Sequence, residues 1–205
     1  MPDAKPRFIS SLPGEFAVGP VRCAWGPHRH GTPAQALVRP WLAAALDLPE
    51  DALPLRRDAR GRPRLAVPGL DVNWSHSGER LLVALGRGVQ LGADLELLRP
   101  RPHALALAGR FFAPAETRAL AALPVHAQEA AFVRLWCAKE AVLKAHGRGL
   151  AFGLHRLEFA ARGDDWILVA CDPALGEPAD WTVHAFTPMP GYLASLAWRP
   201  EPQHP

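Results

Sequence analysis

Asp94 and Glu96 are the first side chains in this sequence that could do chemistry as a pair. They lie two positions apart in a stretch with the pattern of a β-strand, so both carboxylates are expected on one face, about 6.5–7 Å apart along the strand. Such a pair offers an oxygen-rich site suited to Mg²⁺. The alternative is the solvated polar face of an amphipathic strand, although the flanking residues are unusually apolar for such a face.

A second charged pair, Glu140 and Lys144, lies in a segment with helical periodicity. At about 100° per residue, both fall on the same face as Phe132, Trp136 and Leu143. Charges in an apolar stripe are costly unless they meet a metal, a ligand or a counter-charge. Alternatively, both side chains reach outward from the edge of the stripe, which is harder for the shorter glutamate.

The third candidate is the polar cluster Asn73–Gly78. Ser75 beside His76 suggests a nucleophile and a base, but neighbours on extended backbone point in opposite directions, so separate contacts to one phosphate group fit better. A turn whose side chains bond to its own backbone is the alternative. Upstream, Gly61–Pro63 places an arginine in a rigid turn, where it either binds an anion or is simply exposed to solvent.

These residues need a scaffold, and the pattern along the chain predicts an α+β fold in which each half runs from helix to strands. The prolines of Arg99–Pro102 favour an extended connection that divides the chain into subdomains 1–98 and 99–205. The Gly86–Gly88 turn predicts a hairpin between its flanking strands. The predicted helices are Pro33–Leu46, Pro114–Leu123 and His126–His146, and the predicted strands are Phe16–Trp25, Arg80–Leu85, Val89–Glu96, Leu154–Phe159, Trp166–Cys171, Trp181–Phe186 and Tyr192–Trp198.

The composition narrows the class of protein. Of 205 residues, 49% are hydrophobic and 21% are charged, which suits a folded chain and neither a disordered nor a membrane-embedded one. The sequence has no apolar run of membrane-spanning length and no signal-peptide pattern, so a cytoplasmic location is expected. The net charge of +3 fits nucleic acid, a phosphorylated small molecule or an acidic protein. The absence of basic runs with interleaved aromatics leaves nucleic acid without support.

Four segments, taken together and in order, resemble the Sfp-type 4′-phosphopantetheinyl transferases. Each motif alone is weak to moderate, whereas their order and the spacing from Asp94 to Glu140 make the combination specific. The resemblance covers Arg56 to Phe159. The segments are Gly61–Pro63 with Asn73–Gly78, Leu91–Glu96, Arg110–Glu116, and Trp136–Lys144 continuing to Leu150.

The resemblance implies a site for coenzyme A and Mg²⁺ in the cleft of a pseudo-dimer, that is, between two similar α+β subdomains of one chain. The implied residues are Asp94, Glu96 and Glu140 for Mg²⁺; Ser75, His76 and Lys144 for the phosphates; Gly61, Arg62 and Pro63 for the adenine and 3′-phosphate end; and Arg29 and His30 for the 3′-phosphate.

By the same resemblance, the expected reaction transfers the 4′-phosphopantetheine arm of coenzyme A to a serine of an apo carrier protein of acyl, peptidyl or aryl type, releasing 3′,5′-ADP. Glu140 is the expected acceptor of the serine proton, directly or through a water on the metal. Lys144 would offset phosphate charge, and His76 would donate to a phosphate oxygen. The expected carrier is an acidic helical bundle, complementary to this basic chain, and the enzyme is expected to be a monomer that binds neither nucleic acid nor membrane.

Two other functions are compatible with the sequence. A metal-dependent phosphodiesterase or nuclease could use the same carboxylates, but it needs a water-activating base and usually a second metal, and no second carboxylate cluster stands out in the sequence. A non-catalytic binder of coenzyme A or nucleic acid would show binding that weakens with salt and would form no covalent product.

Overall fold

The computed structural model describes residues 12–163 and 165–201, and its mixture of helices and strands confirms the predicted α+β class. The helices are α1 (Ala34–Leu46), α2 (Ala104–Phe111), α3 (Pro114–Ala121) and α4 (Val125–His146). The strands are β1 (Gly14–Val18), β2 (Val21–Pro27), β3 (Leu55–Arg57), β4 (Pro63–Leu65), β5 (Leu70–Ser77), β6 (Arg80–Arg87), β7 (Val89–Leu97), β8 (Leu157–Arg162), β9 (Asp165–Cys171), β10 (Thr182–Phe186) and β11 (Tyr192–Pro200).

Two antiparallel sheets form the centre of the molecule. The first has the strand order β1-β2-β6-β5 and the second the order β10-β11-β7, while β3-β4 and β8-β9 form two-stranded ribbons. Helix α1 packs on the outer face of the first sheet, and α4 packs on the outer face of the second. The inner faces of the two sheets pack against each other. The layers therefore run helix, sheet, sheet, helix.

This layering explains why the central strands are apolar on both faces. Along β6, Leu81, Val83 and Leu85 face the α1 layer, whereas Leu82 and Ala84 face the second sheet. A strand that is buried on both faces carries a nearly continuous apolar run in place of an alternating one.

The predicted hairpin around Gly86–Gly88 is wrong. The turn is present, but β6 pairs with β2 and β5, whereas β7 pairs with β11. Because both strands have an apolar side facing the other sheet, they pack face to face and do not lie side by side. Strand β7 thus belongs to the sheet of the later strands, while the division into subdomains 1–98 and 99–205 stays a prediction.

Three further segments differ from expectation. The single strand predicted for Phe16–Trp25 is a hairpin of β1 and β2, turning where Gly19 has φ +53°. Asn73–Gly78 was not among the predicted strands, but all except its last residue belong to β5, which agrees with the extended backbone assumed for it and excludes the alternative of a turn. Helix α2, which follows the proline-rich connection, was not predicted by the sequence pattern.

Side chains of β5 join the two sheets along the line where β5 and β7 meet. Alternate residues of β5 point toward β7 and accept hydrogen bonds from its backbone N–H groups, which takes the place of strand pairing there. The three bonds run from Leu91 N to Asp71 Oδ2 (2.8 Å), from Ala93 N to Asn73 Oδ1 (3.1 Å) and from Leu97 N to Ser77 Oγ (3.1 Å).

Gly92 lets α4 lie directly on β7. A Cβ at this position would collide with the backbone oxygen of Ala141 and the backbone nitrogen of Ala145. The close approach brings Glu140 and Lys144, on the β7-facing side of α4, to the carboxylate of Asp94. Because Gly92 has no side chain, Glu140 and Lys144 can approach Asp94.

A buried ion pair fixes α4 from its other side. Lys139 Nζ lies 2.7 Å from Glu116 Oε1 of α3, and both side chains are fully buried. The ammonium also donates to the carbonyls of Leu154 and Leu157, and the carboxylate accepts from the backbone N–H of Phe159. Because every charge has partners, this pair ties α3, α4 and β8 into one unit.

Candidate active site

Asp94 is the hub of a polar triangle between β5, β7 and α4. Lys144 Nζ donates to Asp94 Oδ1 over 2.6 Å and to Ser75 Oγ over 2.9 Å, while Ser75 Oγ itself donates to Asp94 Oδ1 over 2.9 Å. Only 5% of the Asp94 side chain is exposed, against 28% of Lys144. Although burial acts to lower the pKa of Lys144, the adjacent Asp94 carboxylate outweighs it and raises that pKa above its ordinary value. Lys144 is therefore a firmly cationic group.

Glu96 lies on the same face of β7, as its spacing from Asp94 predicts. It accepts hydrogen bonds from Ser77 Oγ (3.2 Å) and from the Arg101 guanidinium (2.8 Å). Burial, followed by repulsion from Asp94, raises the pKa of Glu96 in spite of the Arg101 charge. The two carboxylates thus lie close enough to act on one another.

Glu140 brings a third carboxylate to this place from α4. The residue is only 7% exposed. Burial, and then repulsion from Asp94, raises the pKa of Glu140 from 4.5 to about 7, although Lys144 opposes the change. A carboxyl group with that pKa can both release and accept a proton near neutral pH.

The chemistry of these groups fits a hard divalent cation. All three donors are carboxylates, their mutual repulsion would be relieved by a positive ion, and Asp94 Oδ2 is buried with no hydrogen-bond partner among the described residues. Within residues 12–163 and 165–201, however, no three acidic, histidine or cysteine side chains stand together at metal-ligating distance. Lys144 and Arg101 each occupy a carboxylate oxygen, so the assignment of Asp94, Glu96 and Glu140 as ligands stays a prediction.

A basic cavity of about 270 Å³ opens beside Lys144. Its walls come from the β3-β4 ribbon, from β5 and from the end of α4, and its charged residues are all cationic. Arg57 also lies over the ring of Trp74, 5.2 Å from the ring centroid. The lining residues are Arg57, Arg60, Gly61, Arg62, Pro63, Asn73, Trp74, Lys144, Gly147, Arg148 and Gly149. Such a wall suits a ligand that carries several phosphates.

Arg62 lines this cavity, but its guanidinium points into the protein. It pairs with both oxygens of Asp71, at 2.9 and 2.6 Å, and donates to the carbonyls of Pro63, Leu91 and Lys144. All five N–H donors are thereby used, and the residue is only 6% exposed. The guanidinium is thus a structural link between β4, β7 and α4, whereas the predicted contact to the 3′-phosphate end would require it to leave Asp71.

His76 lies on the opposite side of β5 from Ser75, as extended backbone requires. Its ring stacks on that of His28, with centroids 4.6 Å apart. Burial, and then the charges of His28, Lys144 and His30, lower the pKa of His76. Arg29 and His30 are exposed in the connection between β2 and α1. Because its pKa lies below the ordinary value, His76 is mostly uncharged near pH 7.

Sequence reasoning missed several supporting residues. Arg101, interpreted only as part of a connection, pairs with Glu96. Arg57 and Arg148 line the basic cavity, but nothing in their spacing distinguishes them from the other arginines. The role of Asp71 is apparent only in the structure, where its carboxylate pairs with Arg62, nine positions earlier in the chain.

Known proteins match the part of the chain that forms this site. The family model for the 4′-phosphopantetheinyl transferase superfamily matches residues 90–196, the stretch that contains Asp94, Glu140 and Lys144. The 4′-phosphopantetheinyl transferase HetI of Nostoc is 33% identical over 86% of this chain and 75% of its own length. The chain belongs to the 4′-phosphopantetheinyl transferase superfamily.

Other relatives match over shorter stretches. A Synechocystis protein is 38% identical over 57% of this chain and 48% of its own length. The 4′-phosphopantetheinyl transferase psf-1 of Bacillus pumilus is 33% identical over 62% of this chain and 53% of its own length. The matches thus span about half the length of these two relatives. In the part of the chain that the structure describes, no helix combines the length and hydrophobicity needed to cross a lipid bilayer.

Proposed function

We propose that this protein transfers the 4′-phosphopantetheine arm of coenzyme A to a serine hydroxyl of an apo carrier protein. The convergence of Asp94, Glu140 and Lys144 beside the basic cavity carries the proposal. These residues come from two segments of the chain, and both segments lie within the part that matches the superfamily.

The basic cavity is the proposed site for coenzyme A. Lys144, Arg60 and Arg148 all line this cavity. Because Lys144 also contacts Asp94, we place the pyrophosphate at Lys144, with the adenosine part extending along the cavity. Gly61 and Pro63 line the same cavity. Electrostatic complementarity supports this orientation, because phosphates carry most of the charge of coenzyme A.

Asp94, Glu96 and Glu140 would hold Mg²⁺ against the pyrophosphate. When bound, the cation supplies positive charge to phosphate oxygens, whose negative charge otherwise repels the incoming hydroxyl. For this, the Arg101 guanidinium would exchange its contact to Glu96 for one to the ligand or to solvent. Asp94 Oδ2, which has no partner among the described residues, is an oxygen still free to bond.

In the proposed reaction, the carrier serine Oγ forms a bond to the β-phosphorus of coenzyme A as the bond from that phosphorus to the bridging oxygen breaks. The leaving group is 3′,5′-ADP, which keeps the bridging oxygen and its electron pair. The serine proton passes to Glu140, directly or through a water, because Glu140 is the carboxylate that α4 brings beside Asp94 and Lys144. Lys144 holds charge on the pyrophosphate throughout, and His76 donates to a phosphate oxygen from the far side of β5.

Mass spectrometry tests the proposal. The protein is incubated with coenzyme A, Mg²⁺ and apo carrier proteins of the acyl, peptidyl and aryl types. The expected product is one carrier that gains a single phosphopantetheine, located on serine by peptide mapping. A folded protein that modifies none of the carriers would count against transfer.

Two variants of matched charge serve as controls. Asp94→Asn is expected to lose at least about 100-fold in rate, as for the loss of a key electrostatic group, whereas Asp51→Asn, in an exposed turn after α1, is expected to retain the rate. Coenzyme A cleavage that proceeds equally without a carrier would favour the phosphodiesterase alternative instead.

A further inference from the structure

His28 lies in the connection between β2 and α1, and its ring stacks on the ring of His76 of β5. The two ring centroids are 4.6 Å apart, and the ring planes differ by 22°. His28 is only 6% exposed, whereas much of the His76 surface is open to solvent. Because His28 has little surface to offer a ligand, any contribution that it makes to binding must pass through its neighbour.

Two hydrogen bonds hold His28 in place. Its backbone N–H donates to the carbonyl of Glu79, 2.8 Å away in the turn between β5 and β6, and its Nε2 lies 3.0 Å from the carbonyl of Thr32. A carbonyl oxygen only accepts, so the proton of this bond is on Nε2. Nδ1 is buried and has no hydrogen-bond partner among the described residues. The protein thus fixes the ring at Nε2, and one face of the fixed ring is covered by His76.

The ring of His76 has no comparable anchor of its own. Among the described residues, no group forms a hydrogen bond with either of its nitrogens. Side chains alternate along a strand, so His76 faces the same side of β5 as Trp74, about 6.5–7 Å further along. Trp74 lines the basic cavity, and the charge of Lys144, another lining residue, acts on His76. His76 therefore lies beside the cavity, with its ring nitrogens available to a ligand.

We infer that His28 is a positioning residue that holds the His76 ring at the edge of the basic cavity, where His76 meets a phosphate of coenzyme A. The inference rests on the proposed function, because it takes His76 as a donor to phosphate. The bond from His28 to Thr32 also spans Arg29 and His30, which are predicted to contact the 3′-phosphate. His28 therefore links both groups of phosphate-binding candidates.

Holding the ring in advance favours binding. A side chain that is already fixed loses less conformational freedom when the ligand arrives than one that is free to rotate. Loss of a ring-to-ring contact changes an equilibrium constant by about 3–10-fold. A phenylalanine could stack in the same way but could not bond to Thr32, so substitutions at His28 can separate its two contacts.

The first test is calorimetric titration with 3′,5′-ADP, the leaving group of the proposed reaction, which needs neither metal nor carrier. His28→Ala is expected to weaken binding about 3–10-fold. His28→Phe keeps a flat ring and should restore most of the affinity, whereas His28→Gln keeps a hydrogen-bonding group without the ring and should not. The control is His184→Ala, which removes another stacked histidine, on β10, and is expected to bind as wild type does.

The same titration in a His76→Ala background separates positioning from a general effect on the fold. If His28 acts through His76, His28→Ala has little further effect once the His76 ring is absent. Equal weakening by His28→Ala in both backgrounds, or wild-type affinity of His28→Ala itself, would overturn the inference.

Nuclear magnetic resonance of the histidine ring protons tests the stack without any ligand. The ring protons of His76 are expected to be shifted by the ring current of His28 in wild type, to stay shifted in His28→Phe, and to take the values of an exposed histidine in His28→Ala. Values typical of an exposed histidine in wild type would refute the inference. Wild type that binds neither 3′,5′-ADP nor coenzyme A would contradict the proposed function, while these spectra still decide whether His28 orients His76.

Discussion

The charged residues of the candidate site determine one another's protonation states. Lys144 stays cationic because Asp94 lies beside it, and Glu140 holds its proton up to about pH 7 because it is buried beside Asp94. Burial and Asp94 also raise the pKa of Glu96, but Arg101 offsets part of that increase. The result is a place where a cation is attracted and a proton is held near neutral pH.

The raised pKa of Glu140 makes stability depend on pH in a specific direction. In the unfolded chain the carboxyl ionises near pH 4.5, but in the folded protein only near 7. Between those values the folded state binds more protons, so the free energy of unfolding falls as the pH rises. Between about pH 4.5 and 7, we expect the free energy of unfolding of wild type to fall by on the order of 3 kcal/mol relative to that of Glu140→Gln. Urea unfolding at a series of pH values measures the loss, and parallel curves for the two proteins would contradict it.

Arg62 provides a prediction in which sequence and structure disagree. Its resemblance-based role predicts that Arg62→Ala raises the KM for coenzyme A more than it lowers kcat. The structure predicts instead that the main effect is a loss of about 3–5 kcal/mol in the free energy of unfolding, because Asp71 would be left charged and buried. Adding Asp71→Ala should recover part of the loss, as expected for two members of one pair. Unchanged unfolding of Arg62→Ala would support the ligand-binding role.

At the level of single residues, the sequence predicts the charged residues better than their partners. Asp94, Glu96 and Glu140 could be chosen because carboxylates in apolar surroundings need a reason to be there. The contacts of Glu96 with Ser77 and Arg101 could not, because these depend on how β5 and the connection after β7 lie beside Glu96 in the folded chain.

At the level of elements, the position of α4 on β7 decides whether the site exists. The helix crosses the strand at Gly92, where its backbone leaves no room for a side chain. Glu140 and Lys144 reach Asp94 only at this spacing, and the ion pair of Lys139 with Glu116 fixes the helix from behind. Strand and helix therefore act as one positioning device.

Gly92→Ala is expected to push α4 away from β7. The added methyl collides with the backbone of α4, so we expect a loss of at least about 2 kcal/mol in the free energy of unfolding together with reduced transfer. The matched control is Gly109→Ala in α2, where a Cβ would lie 4.0 Å from the nearest side-chain atom. The control should gain up to about 1 kcal/mol from helix propensity. Equal behaviour of the two variants would argue against the close contact.

The elements themselves were predictable where periodicity is strong. The amphipathic pattern locates α4 to within a residue at its start and ends it at His146, as observed. Which strands pair with each other was harder to predict from the sequence. The pattern predicted a hairpin of β6 and β7 because a glycine turn joins them, but the two strands belong to different sheets. Short turns report that the chain reverses, but the choice of partner depends on which faces must be buried.

At the level of the whole molecule, two layered halves meet along a seam lined with polar side chains. Asp71, Asn73 and Ser77 bridge the sheets there, and the basic cavity lies alongside. The resemblance implies two similar halves, and a helix–sheet–sheet–helix order is compatible with that, although equivalence of the halves stays a prediction. The sequence predicted a boundary within the chain, but not that β7 would join the later strands.

The basic wall of the cavity is expected to set the affinity for coenzyme A. Arg148→Ala removes one cationic group from this wall and should raise the KM for coenzyme A about 10-fold while leaving kcat nearly unchanged, because binding to the ground state is weakened. Arg118→Ala makes the same change in charge on the exposed face of α3 and serves as the control. Steady-state kinetics at constant ionic strength gives both constants. A fall in kcat as large as the rise in KM for Arg148→Ala would contradict a purely ligand-binding role.

The central claim is that Asp94, Glu140 and Lys144 direct the arm of coenzyme A to a carrier serine and not to water. The most direct measurement follows both products of one reaction with time: 3′,5′-ADP by chromatography and modified carrier by mass spectrometry. The account predicts one 3′,5′-ADP for every arm attached, no release without carrier, and the loss of both products in Asp94→Asn. Release of 3′,5′-ADP in excess of modified carrier, or full activity of Asp94→Asn, would contradict it.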